Sequence, residues 1–140
     1  MKIHRPLLLV LTSSLVACAT GGHPEGMRVT VDQLVSSAET FDGQLVTLDA
    51  CVFVTMHGMA LYNCHYRPGQ PDQLIAFNPL PGVSDRAYNR LVDLGHEGFA
   101  VPKFEVRADI TGIYIYREHS GVRELLIMDT SNVQRIAESE

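Results

Sequence analysis

The chain has 140 residues, a formal net charge of -5 and a hydrophobic fraction of 46%. That length predicts a single domain able to bury a real core. The acidic balance, with Lys and Arg together contributing 11 residues against 16 Asp and Glu, argues against a nucleic-acid partner, because an acidic surface repels phosphate backbones.

Met1 to Ala17 open with Lys2, His4 and Arg5, continue through the apolar run Leu7 to Leu11 and end at Leu15-Val16-Ala17, immediately before Cys18. This is the three-part pattern of an export signal. Its apolar stretch is short of the roughly 20 residues that a helix needs to cross a bilayer, and no later segment is a candidate transmembrane helix. Leu15 to Cys18 resemble the lipobox of bacterial lipoproteins. The resemblance implies a signal peptide over 1–17, diacylglycerol on the Cys18 sulfur, cleavage before Cys18 and acylation of the new amino terminus. Several acyl chains anchor durably, since each buried methylene adds about 0.8 kcal/mol. Ala19 stands where an Asp would imply retention at the inner membrane, so for a Gram-negative source the expected site is the outer membrane, with the protein facing the periplasm. Cleavage leaves 123 residues of formal charge -7.

Residues 18–28 hold the lipidated cysteine and a tether rich in Gly21, Gly22 and Pro24. The folded domain is expected over 29–137. Thr30 followed by Gln33 forms a capping-box pattern, and Leu34, Val35 and Ala38 supply the apolar side of a short helix. Asp42-Gly43 turns the chain into a first strand, Gln44 to Val54, whose even positions Val46, Leu48, Ala50, Val52 and Val54 are all apolar and define a core face.

A second strand is expected over Met59 to His65, with His57-Gly58 as a tight hairpin loop. In that register Met56 pairs with Met59 and Cys51 with Cys64, on a non-hydrogen-bonded pair whose Cα atoms approach to about 4.5 Å. With Cys18 assigned to the lipid, Cys51 and Cys64 are an even pair in an oxidising compartment, and the register predicts their disulfide. A redox pair or a thiolate metal site completed by His57 or His65 competes with it. Twelve residues separate the cysteines, not the two of a redox motif, and His65 points to the face opposite Cys64.

Beyond the Pro68, Gly69 and Pro71 loop, a third strand runs from Leu74 to Phe77 and ends before Pro79 and Pro81. Ser84 caps a helix of about ten residues, in which Ala87, Tyr88, Leu91, Val92 and Leu94 recur at helical spacing and which Gly95 terminates. Val101 to Tyr116 is a strand, His119-Ser120-Gly121 a turn, and Arg123 to Met128 a final strand continuing through Asn132 to Ile136. Short helix, three strands, helix and two strands is a mainly β order that resembles the OB-fold, a five-stranded Greek-key barrel with its helix between the third and fourth strands. The run from Leu34 to Tyr62 is also similar to small uncharacterised exported bacterial proteins of OB-like type.

Tyr62, Tyr66, Tyr114 and Tyr116 form a candidate ligand-stacking set, because OB barrels present aromatics on such strands and loops. Half-buried strands contain aromatics in any case, and Tyr114 and Tyr116, alternating with Ile113 and Ile115, also suit a purely covering role. In this compartment and at this charge a sugar or peptide fits better than nucleic acid. Five histidines survive processing but none has metal-site spacing, and no nucleophile elbow or phosphate loop is present. The expectation is therefore a non-enzymatic, lipid-anchored envelope protein that needs no cofactor or metal. It acts by binding another envelope component; the alternative is a module that binds a small molecule, an oligosaccharide or a metal, and a hydrolase or redox protein is the remaining alternative.

Overall fold

The computed structural model describes residues 25–56, 58–64, 73–99 and 104–137. They form a mainly β domain of six strands in one mixed sheet with three helices. Among these residues no helix is long and apolar enough to cross a membrane.

The sheet begins earlier than the tether-to-domain boundary at residue 29. β1, Met27–Val29, runs parallel to the start of β2, Leu45–Thr55, with Met27 opposite Val46. Two short helices lie between them, α1 (Val31–Ser36) and α2 (Ala38–Phe41). The capping box closes α1 as expected: Gln33 N–H donates to Thr30 Oγ1 at 3.1 Å and Thr30 N–H donates to Gln33 Oε1 at 2.8 Å. Leu34 is wholly buried beneath it. Gly43, at φ +74°, lets the chain reverse after α2. Its N–H donates to the Tyr114 carbonyl, and the Asp42 carboxylate accepts from Tyr116 N–H at 2.8 Å.

β2 is the central element. Its even side chains are all buried, as the alternation requires. One edge pairs antiparallel with β5, Phe104–Arg117, and the other with β1 and then β3, Gly58–Tyr62. β5 pairs antiparallel with β6, Val122–Ala137, which pairs parallel with β4, Ala76–Pro79. Between β3 and the start of β4 there is an isolated antiparallel bridge, Leu61 to Ile75, with two backbone hydrogen bonds of 2.8 and 2.9 Å. The expected third strand, Leu74 to Phe77, is displaced by two residues. It accepts Pro79 as its last member, where a missing N–H costs the ladder least.

The hairpin register also differs from expectation. Thr55 pairs with Gly58 and Cys51 with Tyr62, so Gly58 belongs to the strand, and the loop lies one position earlier; His57 is outside the described residues. This moves every cross-strand partner by two, which preserves the face. Cys64 therefore still lies on the side of Cys51, just past the end of β3. The chain turns there and brings their Cα atoms to 5.0 Å for the Cys51–Cys64 disulfide.

α3 spans Arg86–Phe99 and passes through Gly95 rather than ending at it. Gly95 is buried, and an added Cβ would collide with the Val54 side chain. Its role is to let the helix close on β2. Leu91 is wholly buried, and the Tyr88 ring meets Phe77 edge to face at a centroid separation of 5.8 Å.

Removing the disulfide is expected to cost about 3 kcal/mol on the chain-entropy model for a bridge of sequence separation 13. Denaturant melts of the wild type and of Cys51→Ala/Cys64→Ala should show that loss, and equal midpoints would contradict a constraining bridge.

Candidate functional site

The three candidate tyrosines among the described residues, Tyr62, Tyr114 and Tyr116, do not converge on one surface. Tyr114 is fully buried, and its hydroxyl donates to the Leu34 carbonyl at 3.0 Å, tying β5 to α1. No ring face is left for a ligand, so the stacking role expected for it is replaced by a structural one. Burial, above all, pushes its pKa up to about 12; Tyr116 and Asp42 add to the rise and the Arg123 charge opposes it. Tyr62 is half-buried, and its hydroxyl donates to Glu105 Oε1 at 3.0 Å, beside the disulfide. Tyr66 lies outside the described residues.

Tyr116 borders a cavity. Tyr116 and Arg123 are cross-strand partners near the β5–β6 turn. They share a face with buried Tyr114 and Leu125, because side chains two apart on a strand project together. Opposite them stands the α1–α2 corner, and the two walls enclose an open notch of about 400 Å³. Ser36, Ser37, Glu39 and Thr40 line the helical wall, Tyr116 and Arg123 the strand wall. The corner forms because α1 stops after two turns: Ser37 N–H donates to the Gln33 carbonyl, and its side chain makes no cap bond to α2.

Arg123 sets this place apart. Its Nε is the buried side-chain nitrogen left without a hydrogen-bond partner among the described residues. Four surface arginines are matched with carboxylates, Arg28 with Asp109, Arg107 with Asp49, Arg117 with Glu124 and Arg135 with Glu97, whereas Arg86 and Arg90 are exposed on α3. Asp109 and Asp49 raise the Arg28 and Arg107 pKa values through hydrogen bonds first and charge second. Buried polar groups are normally satisfied, and a desolvated cation more so.

A second polar cluster is internally complete. Asp109 accepts from both Arg28 nitrogens at 3.4 and 3.2 Å and from Asn132 Nδ2 at 2.7 Å. Asn132 has φ +49° within the irregular stretch of the β5–β6 ladder, a conformation asparagine tolerates. Among the described residues no group of three His, Cys, Asp or Glu could hold a metal ion; His96 and His119 are exposed and apart.

Sequence reading missed Arg123 because a lone arginine in a polar-apolar alternation carries no motif. Placing the turn so that Arg117 meets Val122 puts Arg123 opposite Tyr116, and that pairing is the signal that was available. Comparison with protein-family models, curated proteins and solved structures returns no match.

The Tyr114 hydroxyl makes an alkaline prediction. Its folded pKa of about 12 lies above the ordinary 10.0, so the native state holds this proton more tightly than the unfolded chain does. The associated stability is complete below pH 10 and disappears as the pH rises to about 12. A spectrophotometric titration should show one tyrosine ionising last, near pH 12, absent in Tyr114→Phe. That variant should also lose roughly 1 kcal/mol at neutral pH. Ionisation of all tyrosines near pH 10 in the folded protein would contradict the assignment.

Proposed function

We propose that this chain is a lipid-anchored, non-enzymatic binding module of the bacterial cell envelope, held at the outer membrane through Cys18 and facing the periplasm. The anchor rests on Leu15-Val16-Ala17-Cys18 and on Ala19 after it. The Cys51–Cys64 disulfide suits the oxidising compartment that such an anchor implies.

On this reading the scaffold is an OB-like barrel preceded by an extra edge strand. The neighbour relations support it: β2 with β3, Leu61 bridged to Ile75 at the head of β4, β4 with β6, β6 with β5, and β5 back to β2. α3 occupies the interval between the third and fourth strands of that ring. A scaffold does not fix an activity.

The observation that supports the binding role is the open notch of about 400 Å³ lined by Arg123, Glu39, Tyr116 and the hydroxyl-bearing Ser36, Ser37 and Thr40. This favours a small polar ligand within the broader reading of an envelope-interaction module.

Fractionation tests the anchor. Wild-type protein should sediment with membranes and be released by detergent but not by high salt, whereas Cys18→Ser should appear in the soluble fraction. Equal partitioning of the two proteins would overturn the anchored reading.

A further inference from the structure

The two cysteines of the disulfide are not equivalent. Cys51 lies within β2 and is wholly buried, whereas Cys64, just past the end of β3, keeps partial exposure. A reductant therefore approaches from the side of Cys64, and Cys51 is the sulfur released inside the protein. How readily the bridge opens then depends on what surrounds Cys51, because a thiolate that is poorly stabilised leaves slowly.

Glu105, near the start of β5, supplies the charge at that point. Its Oε2 lies 3.9 Å from Cys51 Sγ, and its Oε1 accepts the Tyr62 hydroxyl at 3.0 Å. Tyr62 is the cross-strand partner of Cys51 in β3, so the hydrogen bond holds the carboxylate against the sulfur. Arg107, the partner of Cys51 in β5, carries the opposite charge, but Asp49 takes both its Nε and its Nη2. On the Cys64 side, Asn63 donates to the Asp32 carboxylate at 3.4 Å, which adds a second negative group.

We propose that Glu105 guards the disulfide against thiol exchange, its carboxylate opposing the thiolate that forms on Cys51 whenever the bridge opens. The step is a displacement. A thiolate of an external dithiol attacks Cys64 Sγ and forms a mixed disulfide, while the electron pair of the broken S–S bond leaves on Cys51, which then takes a proton from water. The second thiolate of the reagent displaces Cys64 in turn, so the bridge is reduced and the dithiol oxidised. Two like charges a few ångströms apart repel more strongly in a half-buried site than in water. The consequence is kinetic: the bridge that ties the end of β3 to β2 stays closed in the presence of small thiols.

The oxidised full-length chain is exposed to dithiothreitol at neutral pH, and alkylation of Cys51 and Cys64 is followed by peptide mass. Glu105→Gln keeps the acceptor for Tyr62 and the side-chain volume while removing the charge, and it should be reduced at least about fivefold faster than the wild type. Glu105→Asp keeps the charge but withdraws it by one methylene, and should be intermediate. Tyr62→Phe loosens the same corner with the carboxylate retained, and should accelerate reduction less than Glu105→Gln does. A neutral trialkylphosphine has no charge to be repelled on approach. It should give a similar ratio between Glu105→Gln and the wild type, which places the effect on the departing sulfur. The thermal midpoints of the oxidised proteins report folding for each variant. The proposal is overturned if Glu105→Gln is reduced no faster than the wild type, if Tyr62→Phe accelerates reduction equally, or if the difference vanishes with the phosphine. Slower reduction of Glu105→Gln would also overturn it, because the carboxylate would then be passing a proton to an exchange-active pair.

Discussion

The structure depends on the alternation in β2. Val46, Leu48, Ala50, Val52 and Val54 are buried on one face of a single strand, and a slip of one residue would turn all five to the other side. With that face fixed, β5 can pair along one edge and β1 and β3 along the other. α3 closes over Val52 and Val54 because Gly95 leaves room for it. Tyr114 then reaches from β5 to the Leu34 carbonyl, so α1 is fixed by the same face that fixes the sheet.

Where local physics decides the outcome, the sequence is readable. The Thr30–Gln33 capping box, the buried face of β2 and the turn before β6 follow from residue type and spacing alone. The disulfide is instructive because its pairing is right although the hairpin register is displaced. A displacement of two partners keeps Cys64 on the face of Cys51, so the inference depended on parity more than on exact opposition.

What was not legible depends on tertiary contact. Gly95 has the composition of a helix stop, but close packing against Val54 determines its place inside α3. β1 is three residues long and only Val29 is buried; its strand character comes from pairing with β2. Alternation placed Tyr114 and Tyr116 on a common face without telling that one would be sealed under α1 and the other left at a cavity rim. Arg123 is the sharpest case. Four other arginines meet carboxylates at the surface, whereas this one enters from the core side of its strand, where no carboxylate answers it. Only the folded arrangement reveals the difference.

The proposed anchor at Cys18 and the Cys51–Cys64 disulfide share one requirement, that the chain be exported and oxidised outside the cytoplasm. The most direct measurement is the intact mass of protein from the membrane fraction of cells expressing the full-length chain, taken before and after reduction and alkylation. The account predicts a chain beginning at Cys18 with added lipid, whose Cys51 and Cys64 become alkylated only after reduction. An unlipidated chain with both thiols free would contradict it.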